Sequence, residues 1–307
     1  MRGAPAWSLL LLLGACNAQI AAGNHKDGVG GSDAGPDAPT IDAGSIDAPL
    51  GKFGLAAKLG VAATTTSSED DATLSSTALE MIFAIDMGKN GKDLYYTSRP
   101  TTSDPWTQPQ LAPFSDTAKS DESPRFSPDD KTLYFASGHG NADGTLDVYS
   151  VKRDTVGSNT WKTPVKDMTV STAATSEKWY MPCGTQFLMV QLGADNKPHF
   201  VGGALGTAGA LVPELNGAAS AETGTFFTAD CKTVYFASTR TTPTMIHVAH
   251  RDTVDAKWQT PVPVTDLTIT GGNGDEEDPW MSPDGRTFVF ASDIAGAANK
   301  DVYITTR

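Results

Sequence analysis

The stretch SPDDKTLYFAS at residues 127–137 returns as SPDGRTFVFAS at residues 282–292. Both copies begin with Ser-Pro-Asp, continue with alternating apolar side chains and end with Phe-Ala-Ser. A chain that repeats a phrase of this length is typical of folds built from several copies of one unit. The number of copies therefore decides the fold.

Three further copies are recognisable. The stretch TGTFFTADCKTVYFAS at residues 223–238 is close to the first two, and the unit that ends at Arg99 has an eroded turn. The stretch SEKWYMPCGTQFLMVQLG at residues 176–193 is the most degenerate. The central residues of the aromatic strands are spaced by 52, 54, 47 and 54 positions; they are Phe83, Phe135, Met189, Phe236 and Phe290.

Each unit contains three strand-like segments separated by turn signals, which indicates an antiparallel sheet. A phrase with aromatic residues and proline lies between units and supplies a fourth, outer strand; it contains Trp106, Trp161 or Trp258. Four strands in each of five units predict an all-β fold, a five-bladed propeller of four-stranded antiparallel blades.

The Ser-Pro-Asp-Gly turn with its aromatic strand and Phe-Ala-Ser ending resembles the WD-repeat-like propeller repeats of the TolB type. The resemblance covers residues 53–307, and the third unit departs from it most, which leaves its boundaries open between Trp161 and Glu214. It implies a propeller of the kind found in exported bacterial lipoproteins, with partners in the cell envelope.

The fifth unit ends at Arg307 after its third strand, so its outer strand comes from elsewhere in the chain. Residues 53–59 precede the first unit in the position of a Trp-Pro phrase. We predict that this segment completes the last blade and removes an exposed sheet edge. The propeller domain then spans residues 52–307.

The first 15 residues are predicted to be a signal peptide, because a basic Arg2 precedes a short apolar run. The sequence Leu-Gly-Ala-Cys at its end resembles the lipobox of bacterial lipoproteins, which implies that Cys16 carries lipid at the mature N-terminus. An ordinary signal peptide is the alternative. Asn17 at the next position favours sorting to the outer membrane, with the periplasmic and surface faces both open.

Residues 16–51 are rich in Gly, Ala, Asp and Pro and contain few large apolar side chains, so we predict a disordered linker. The formal net charge of the chain is −13. This charge argues against binding nucleic acid through a basic face. We expect a monomer.

The repeated polar residues have structural interpretations. The turn aspartates, Asp129, Asp230 and Asp284, are expected to cap tight turns. The three tryptophans are expected to pack between blades. The third strands end in arginine, for which we expect pairing with a carboxylate of a blade; these residues are Arg99, Arg153, Arg251 and Arg307.

Carboxylates also recur just before or at the start of each inner strand. They are Glu69, Asp70, Asp121, Glu122, Glu177, Glu222, Glu276 and Glu277. Inner strands surround the central channel of a propeller, so these residues form a candidate acidic ring at the channel mouth, and oxygen-rich sites suit Ca²⁺. The alternative is that they accept hydrogen bonds from neighbouring blades.

Cys183 and Cys231 occupy nearly matching turn positions in consecutive units. Adjacent blades bring such positions close enough for a disulfide, which an exported protein would form. Two separate buried thiols are the alternative.

The sequence contains no recognisable catalytic motif, P-loop, dinucleotide fingerprint or metal-ligand histidine spacing. We therefore expect no catalytic residue and no cofactor other than possible Ca²⁺. The favoured interpretation is a non-enzymatic envelope lipoprotein whose propeller binds a protein, peptide or glycan. The alternatives are a carbohydrate-active hydrolase with channel-facing carboxylates and a purely structural envelope component.

Overall fold

A computed structural model describes residues 51–60, 67–86, 88, 90–294 and 299–307. The predicted signal peptide, Cys16 and the linker as far as residue 50 lie outside the described residues. The described chain contains strands and no helix, and so no helix long and apolar enough to cross a membrane.

Five sheets form the blades, each ordered from an inner to an outer strand. Blade 1 contains β2 (Glu69–Leu74), β3 (Glu80–Asp86), β4 (Lys92–Ser98) and β5 (Gln110–Leu111). Blade 2 contains β6 (Asp121–Phe126), β7 (Thr132–Ser137), β8 (Asp147–Lys152) and β9 (Val165–Lys166). Blade 3 contains β10 (Glu177–Cys183), β11 (Gln186–Leu192), β12 (Pro198–Ala204) and β13 (Ala210–Leu211).

Blade 4 contains β14 (Glu222–Phe227), β15 (Thr233–Ser238), β16 (Met245–His250) and β17 (Val262–Pro263). Blade 5 contains β19 (Asn273–Met281), β20 (Thr287–Ile294), β21 (Asp301–Thr306) and, from the other end of the chain, β1 (Leu55–Lys58), with β18 (Thr268–Ile269) beyond it. The inner strands contact one another in the order of the blades, and β19 contacts β2, so the ring closes. The predicted five-bladed, all-β propeller is confirmed.

The first strand joins the two ends of the propeller. Ala57 pairs with Ile304 and Lys58 with Tyr303 in an antiparallel ladder. Phe53 is buried, and its ring lies 5.3 Å from the ring of Phe288. The predicted closure of the last blade by residues 53–59 is therefore confirmed.

An arginine stacked on an aromatic ring recurs at the end of each third strand except that of blade 3. The guanidinium carbon lies 4.2 to 4.7 Å from the ring centroid in the pairs Arg99–Trp106, Arg153–Trp161, Arg251–Trp258 and Arg307–Phe53. In each case Nε donates to a carbonyl of the blade's own tight turn, at Ala78, Asp130, Cys231 or Gly285.

The expected pairing of these arginines with a carboxylate is found only for Arg153 among them in the described structure. Its guanidinium donates to both carboxylate oxygens of Glu80 in the neighbouring blade. The expectation was wrong for Arg99, Arg251 and Arg307, which make the same stacking and turn-carbonyl contacts without a carboxylate partner among the described residues. Phe53 completes the series, which explains why the fifth blade needs no tryptophan.

The turn aspartates hold their turns as expected. Asp129, Asp230 and Asp284 each accept a hydrogen bond from the hydroxyl two residues earlier and the backbone N–H two residues later. For Asp129 and Asp284 these bonds are the main cause of a lowered pKa, and for Asp230 they outweigh the opposing effect of burial. These carboxylates are structural.

A disulfide between Cys183 and Cys231 joins blades 3 and 4, with the Cα atoms 5.6 Å apart and 48 positions between them in sequence. Closing a loop of this length stabilises the fold by about 4 kcal/mol in the chain-entropy model. At the corresponding junction of blades 1 and 2, Asp130 instead accepts hydrogen bonds from the backbone and hydroxyl of Ser76.

Candidate functional site

All five inner strands contain a bulge at the same place. The third residue of the repeated segment has a positive φ of 49° to 60° in every blade; these residues are Asp71, Ser123, Trp179, Gly224 and Asp278. The pairing register with the second strand shifts there. A bulge re-aims side chains, and here it brings residues from different blades together on the axis.

Two side chains cross the axis of the ring. The indole Nε1 of Trp179 in blade 3 donates to Asp71 of blade 1 at 2.7 Å and to Asp278 of blade 5 at 2.9 Å. Arg125 of blade 2 donates from Nε to the carbonyl of Thr225 in blade 4 at 2.8 Å. We call Asp71, Arg125, Trp179 and Asp278 the axial plug, because they are buried and fill the centre of the ring.

The two aspartates of the axial plug share one negative charge. Burial and the charges of Asp71 and Asp70 raise the pKa of Asp278 well above its ordinary value. Burial also acts to raise the pKa of Asp71, but the charge of Lys92 and a hydrogen bond from Asp278 outweigh it and lower the pKa. Protonated Asp278 therefore donates to ionised Asp71, while the backbone N–H of Asp71 donates to Asp278.

A set of ion pairs lies beside the axial plug where the inner strands begin. Lys92 Nζ lies 2.7 Å from Asp70 and 4.0 Å from Glu122, and Lys178 Nζ lies 2.9 Å from Glu122. Lys300 lies 2.5 Å from Glu277. We call these six residues the charged rim: Asp70 and Glu122, which are buried, and Lys92, Lys178, Glu277 and Lys300, which are partly exposed.

Burial and close charges shift the pKa values of three groups on the charged rim, namely Asp70, Lys92 and Lys300. Burial and the charge of Asp71 raise the pKa of Asp70 to about 7. Burial acts to lower the pKa of Lys92, but Asp71, Asp70 and Glu122 outweigh it and raise the pKa. The pKa of Lys300 is likewise raised by Glu277 against the effect of burial. Lys92 and Lys300 therefore stay charged at neutral pH.

The structure places three of the eight predicted ring carboxylates on the charged rim, namely Asp70, Glu122 and Glu277, among three lysines. The other five are the first residues of the repeated segment: Glu69, Asp121, Glu177, Glu222 and Glu276. All five are buried, and four of them accept hydrogen bonds from strands or loops: Asp121 from Ser115, Glu177 from Thr172, Glu222 from Ser220 and Glu276 from the backbone of Ile246.

Sequence reasoning missed the axial plug. The predicted ring included only the first two acids of EDD at residues 69–71 and of EED at residues 276–278. Asp71 and Asp278 occupy the equivalent third positions in their units. That equivalence was a usable signal. Trp179 and Arg125 gave none, because the residues at their positions in other units are unlike them and their contacts run between blades that are not adjacent.

The carboxylates around Lys92 resemble a cation site in their spacing. Asp70, Asp71 and Asp278 each bring one oxygen within 4.8 Å of the others. However, the ammonium of Lys92 lies 2.7 Å from Asp70 and 3.4 Å from Asp71, so a side chain already supplies the positive charge. A Ca²⁺ ion takes about six to eight oxygen ligands, and the arrangement would have to displace Lys92 to hold one.

Comparisons with known proteins agree on the fold. No family model matches the chain, and no curated protein does. A structure from Agrobacterium tumefaciens identified as TolB is 16% identical, with a TM-score of 0.50 over 78% of this chain and 77% of its own.

Two fungal enzymes also share the fold. An α-L-arabinofuranosidase from Podospora anserina has a TM-score of 0.57 at 10% identity, over 84% of this chain and 96% of its own. The catalytic domain of a GH62 α-L-arabinofuranosidase from Coprinopsis cinerea has a TM-score of 0.55 at 9% identity, over 84% of this chain and 97% of its own. At these identities the likeness shows the fold alone: the chain is a TolB-like propeller.

Proposed function

We propose that this protein is a non-enzymatic, lipid-anchored binding module of the bacterial cell envelope. The charged rim is the binding face, and its partner is a protein, peptide or glycan. The main support for this proposal is that the central carboxylates already have hydrogen-bond partners within the protein. Asp71 and Asp278 hydrogen-bond to each other and to Trp179. They are at most 1% exposed, so they support the ring instead of meeting a substrate.

Burial on the axis also disfavours glycoside hydrolysis there, because a substrate cannot lie between the buried Asp71 and Asp278. Retaining glycosidases place two carboxyl groups about 5 to 5.5 Å apart and inverting ones about 6.5 to 9.5 Å apart, with the substrate between them. Oxygens of Asp70, Asp71 and Asp278 lie within 4.8 Å of one another. Shared fold with arabinofuranosidases is what keeps a carbohydrate-active hydrolase as the second candidate.

The charged rim has the properties of a polar binding face. Its lysine side chains are 24 to 29% exposed, so their charges can reach a partner without losing their carboxylate neighbours. Alternating charges orient a partner and fix its register more than they add affinity. Binding through this face should therefore weaken as salt increases.

The disulfide supports an extracytoplasmic location, because such bonds persist in oxidising compartments. Lipid on Cys16 would then hold the propeller at a membrane, with the outer membrane favoured by Asn17. A lipid-linked display module needs a surface for its partner and no cofactor, which fits the charged rim.

The proposal is tested by affinity capture from detergent-solubilised envelope, with the full chain as bait and with or without Ca²⁺. We compare the wild type with Lys178→Glu on the charged rim and with the matched control Lys162→Glu. Lys162 forms an exposed ion pair with Asp154 in the outer part of blade 2.

A partner retained by the wild type and the control but lost with Lys178→Glu would support the charged rim as the binding face. Retention that all three proteins share would contradict it. Release of sugar from arabinoxylan by the wild type would favour the hydrolase. Capture that depends on Ca²⁺ would favour a Ca²⁺ site at the carboxylates.

A further inference from the structure

A cavity of about 260 Å³ lies between blades 3 and 4, at the opposite end of the strands from the charged rim. Its wall includes Gln186 at the start of β11, Gly202 in β12, and Arg251 and Trp258 of blade 4. It is smaller than the cavities of about 300 to 1,000 Å³ that hold drug-sized ligands. The cavity therefore suits one side chain or a group of similar size.

The junction of blades 1 and 2 shows one way in which the corresponding place is filled. There Glu80, the first residue of β3, binds the guanidinium of Arg153 through both oxygens and accepts a hydrogen bond from the hydroxyl of Tyr96 at 3.0 Å. Trp161 stacks on the same guanidinium at 4.7 Å. The arginine is thus held between a carboxylate and an aromatic ring.

Blade 3 lacks both residues that complete the first junction. Strand register places Gln186 where blade 1 has Glu80, and Gly202 where it has Tyr96. Arg251 still takes the position of Arg153, with Trp258 stacked at 4.2 Å. The arginine and the tryptophan are kept, whereas the carboxylate and the phenol are missing.

Arg251 is consequently left with an unused donor. Nε donates to the carbonyl of Cys231 and one terminal nitrogen donates to Gln186 at 2.9 Å, but Nη2 is buried and has no hydrogen-bond partner among the described residues. The residue is only 7% exposed and lines the cavity. A buried donor without an acceptor costs stability unless a ligand supplies one.

We propose that this cavity binds the carboxylate of an acidic peptide side chain, which displaces the side-chain amide of Gln186 from Arg251 and pairs with the guanidinium as Glu80 does in the first junction. The carboxylate then accepts from Nη2 of Arg251 as well as from the nitrogen that now donates to Gln186, and the adjoining part of the peptide lies in the cavity. This site is additional to the charged rim, and its test does not depend on the partner proposed for that face.

Charges at the cavity mouth select among acidic ligands. Glu214 and Lys257 form an exposed ion pair there, 3.3 Å apart, and Asp255 lies beside the side-chain amide of Gln186. The site therefore favours a ligand with a single carboxylate, which pairs with Arg251. A densely acidic chain would be repelled by Asp255 and Glu214. A peptide with a single glutamate next to an aromatic residue reproduces the Glu80 and Tyr96 pair.

The test is calorimetric titration of the full chain in detergent with acetyl-Tyr-Glu-amide. Acetyl-Tyr-Gln-amide is the matched probe, which differs only in the carboxylate, and D-galacturonate is a carboxylate on a sugar. We expect the glutamate peptide to bind at least about tenfold more tightly than the glutamine peptide, because charge-assisted bonds to buried Arg are lost in the second.

The decisive variant is Gln186→Glu, which rebuilds the first junction inside the protein. It should weaken the glutamate peptide by at least about tenfold and raise Tm by about 2 °C or more, because Arg251 gains an internal partner. Glu80→Gln is the matched control: it should lower Tm and leave peptide affinity unchanged. The rise in Tm shows that Gln186→Glu folds, so a loss of binding is not a loss of structure.

Equal affinity for the two peptides would overturn the proposal, as would peptide affinity that Gln186→Glu leaves unchanged. Tighter binding of galacturonate than of the peptide would overturn the assignment to a peptide. If Lys178→Glu abolishes capture of the envelope partner but leaves the affinity for the glutamate peptide unchanged, the charged rim and this cavity are independent binding sites.

Discussion

A proton shared between two aspartates lies at the centre of the ring. Trp179 donates to one oxygen of Asp71 and one of Asp278, and Arg125 lies close enough to interact electrostatically with both. A buried charge requires compensation, so the ionised Asp71 depends on its cationic neighbours. The neutral Asp278 depends only on its hydrogen bonds.

The two aspartates should therefore respond differently to the same isosteric change. Asp278→Asn keeps a donor toward Asp71 and an acceptor for Trp179 and loses only the acceptor for the backbone N–H of Asp71, so we expect a loss of about 1 kcal/mol in the free energy of unfolding. Asp71→Asn leaves Lys92 and Arg125 without their buried partner, and we expect a loss of about 3 kcal/mol. Urea denaturation at neutral pH measures both, and equal losses would contradict the assignment of the proton.

At the scale of the elements, the blades repeat a pattern of stacking more faithfully than a pattern of charge. The aromatic ring and the arginine persist in blades 1, 2, 4 and 5, although their partners differ. Stacking on a planar guanidinium tolerates a change from Trp to Phe, as at Phe53. Strand β1 therefore contributes an aromatic residue as well as backbone pairing to the last blade.

Removing β1 should open the propeller. We expect deletion of residues 52–60 to lower Tm by more than Phe53→Ala, which itself should cost about 3 kcal/mol because a buried ring is lost, or about 6 °C. Leu55→Ala is the matched control, since Leu55 lies on the same strand and is 63% exposed. Thermal unfolding followed by circular dichroism measures the series. A deletion variant that melts with the wild type would show that the last blade is stable without its outer strand.

At the scale of the whole molecule, several buried carboxyl groups titrate in the neutral range. Burial and the charge of Asp301 raise the pKa of Glu69 to about 8. Burial is the main cause for Asp70, at about 7, and for Asp121, at about 6. Each group binds its proton more tightly in the folded protein than in the unfolded chain. Their contribution to stability is present below pH 4 and is lost as pH rises through these values.

We therefore expect the free energy of unfolding to fall between about pH 5 and pH 8. Glu69→Gln should flatten this decline, because it removes the group with a pKa of about 8. Glu214→Gln is the control: the pKa of the partly exposed Glu214 is lowered, so its titration ends below this range and the decline should persist. Urea denaturation at several pH values measures the slope. A wild type that is equally stable at pH 5 and pH 8 would contradict the assignment.

The turn aspartates work in the opposite direction. Their lowered pKa values mean that their hydrogen bonds stabilise the protein above the ordinary aspartate value of 3.8 and are lost as pH falls below it. Stability should therefore fall both below the aspartate value of 3.8 and above about pH 5, and be greatest between these two values.

The repeated phrase was enough to predict the architecture, because every copy must present the same apolar face and the same turn to its neighbours. The SPDG turns, the five aromatic strands and the missing outer strand of the last unit are local features with a fixed period. They led directly to five blades and to closure by residues 53–59. The turn positions of Cys183 and Cys231 likewise pointed to the disulfide.

What the sequence alone determined was thus the fold, its closure and the structural role of the turn aspartates, because each follows from neighbouring residues or from a fixed spacing. The contacts on the axis and between the blades became visible only once the ring was closed. The contacts of Trp179 with Asp71 and Asp278 join positions 108 and 99 residues apart in the chain. The unused Nη2 donor of Arg251 likewise depends on the neighbouring blade. Such contacts have no local period, because ring closure creates them by bringing unlike residues of different blades together.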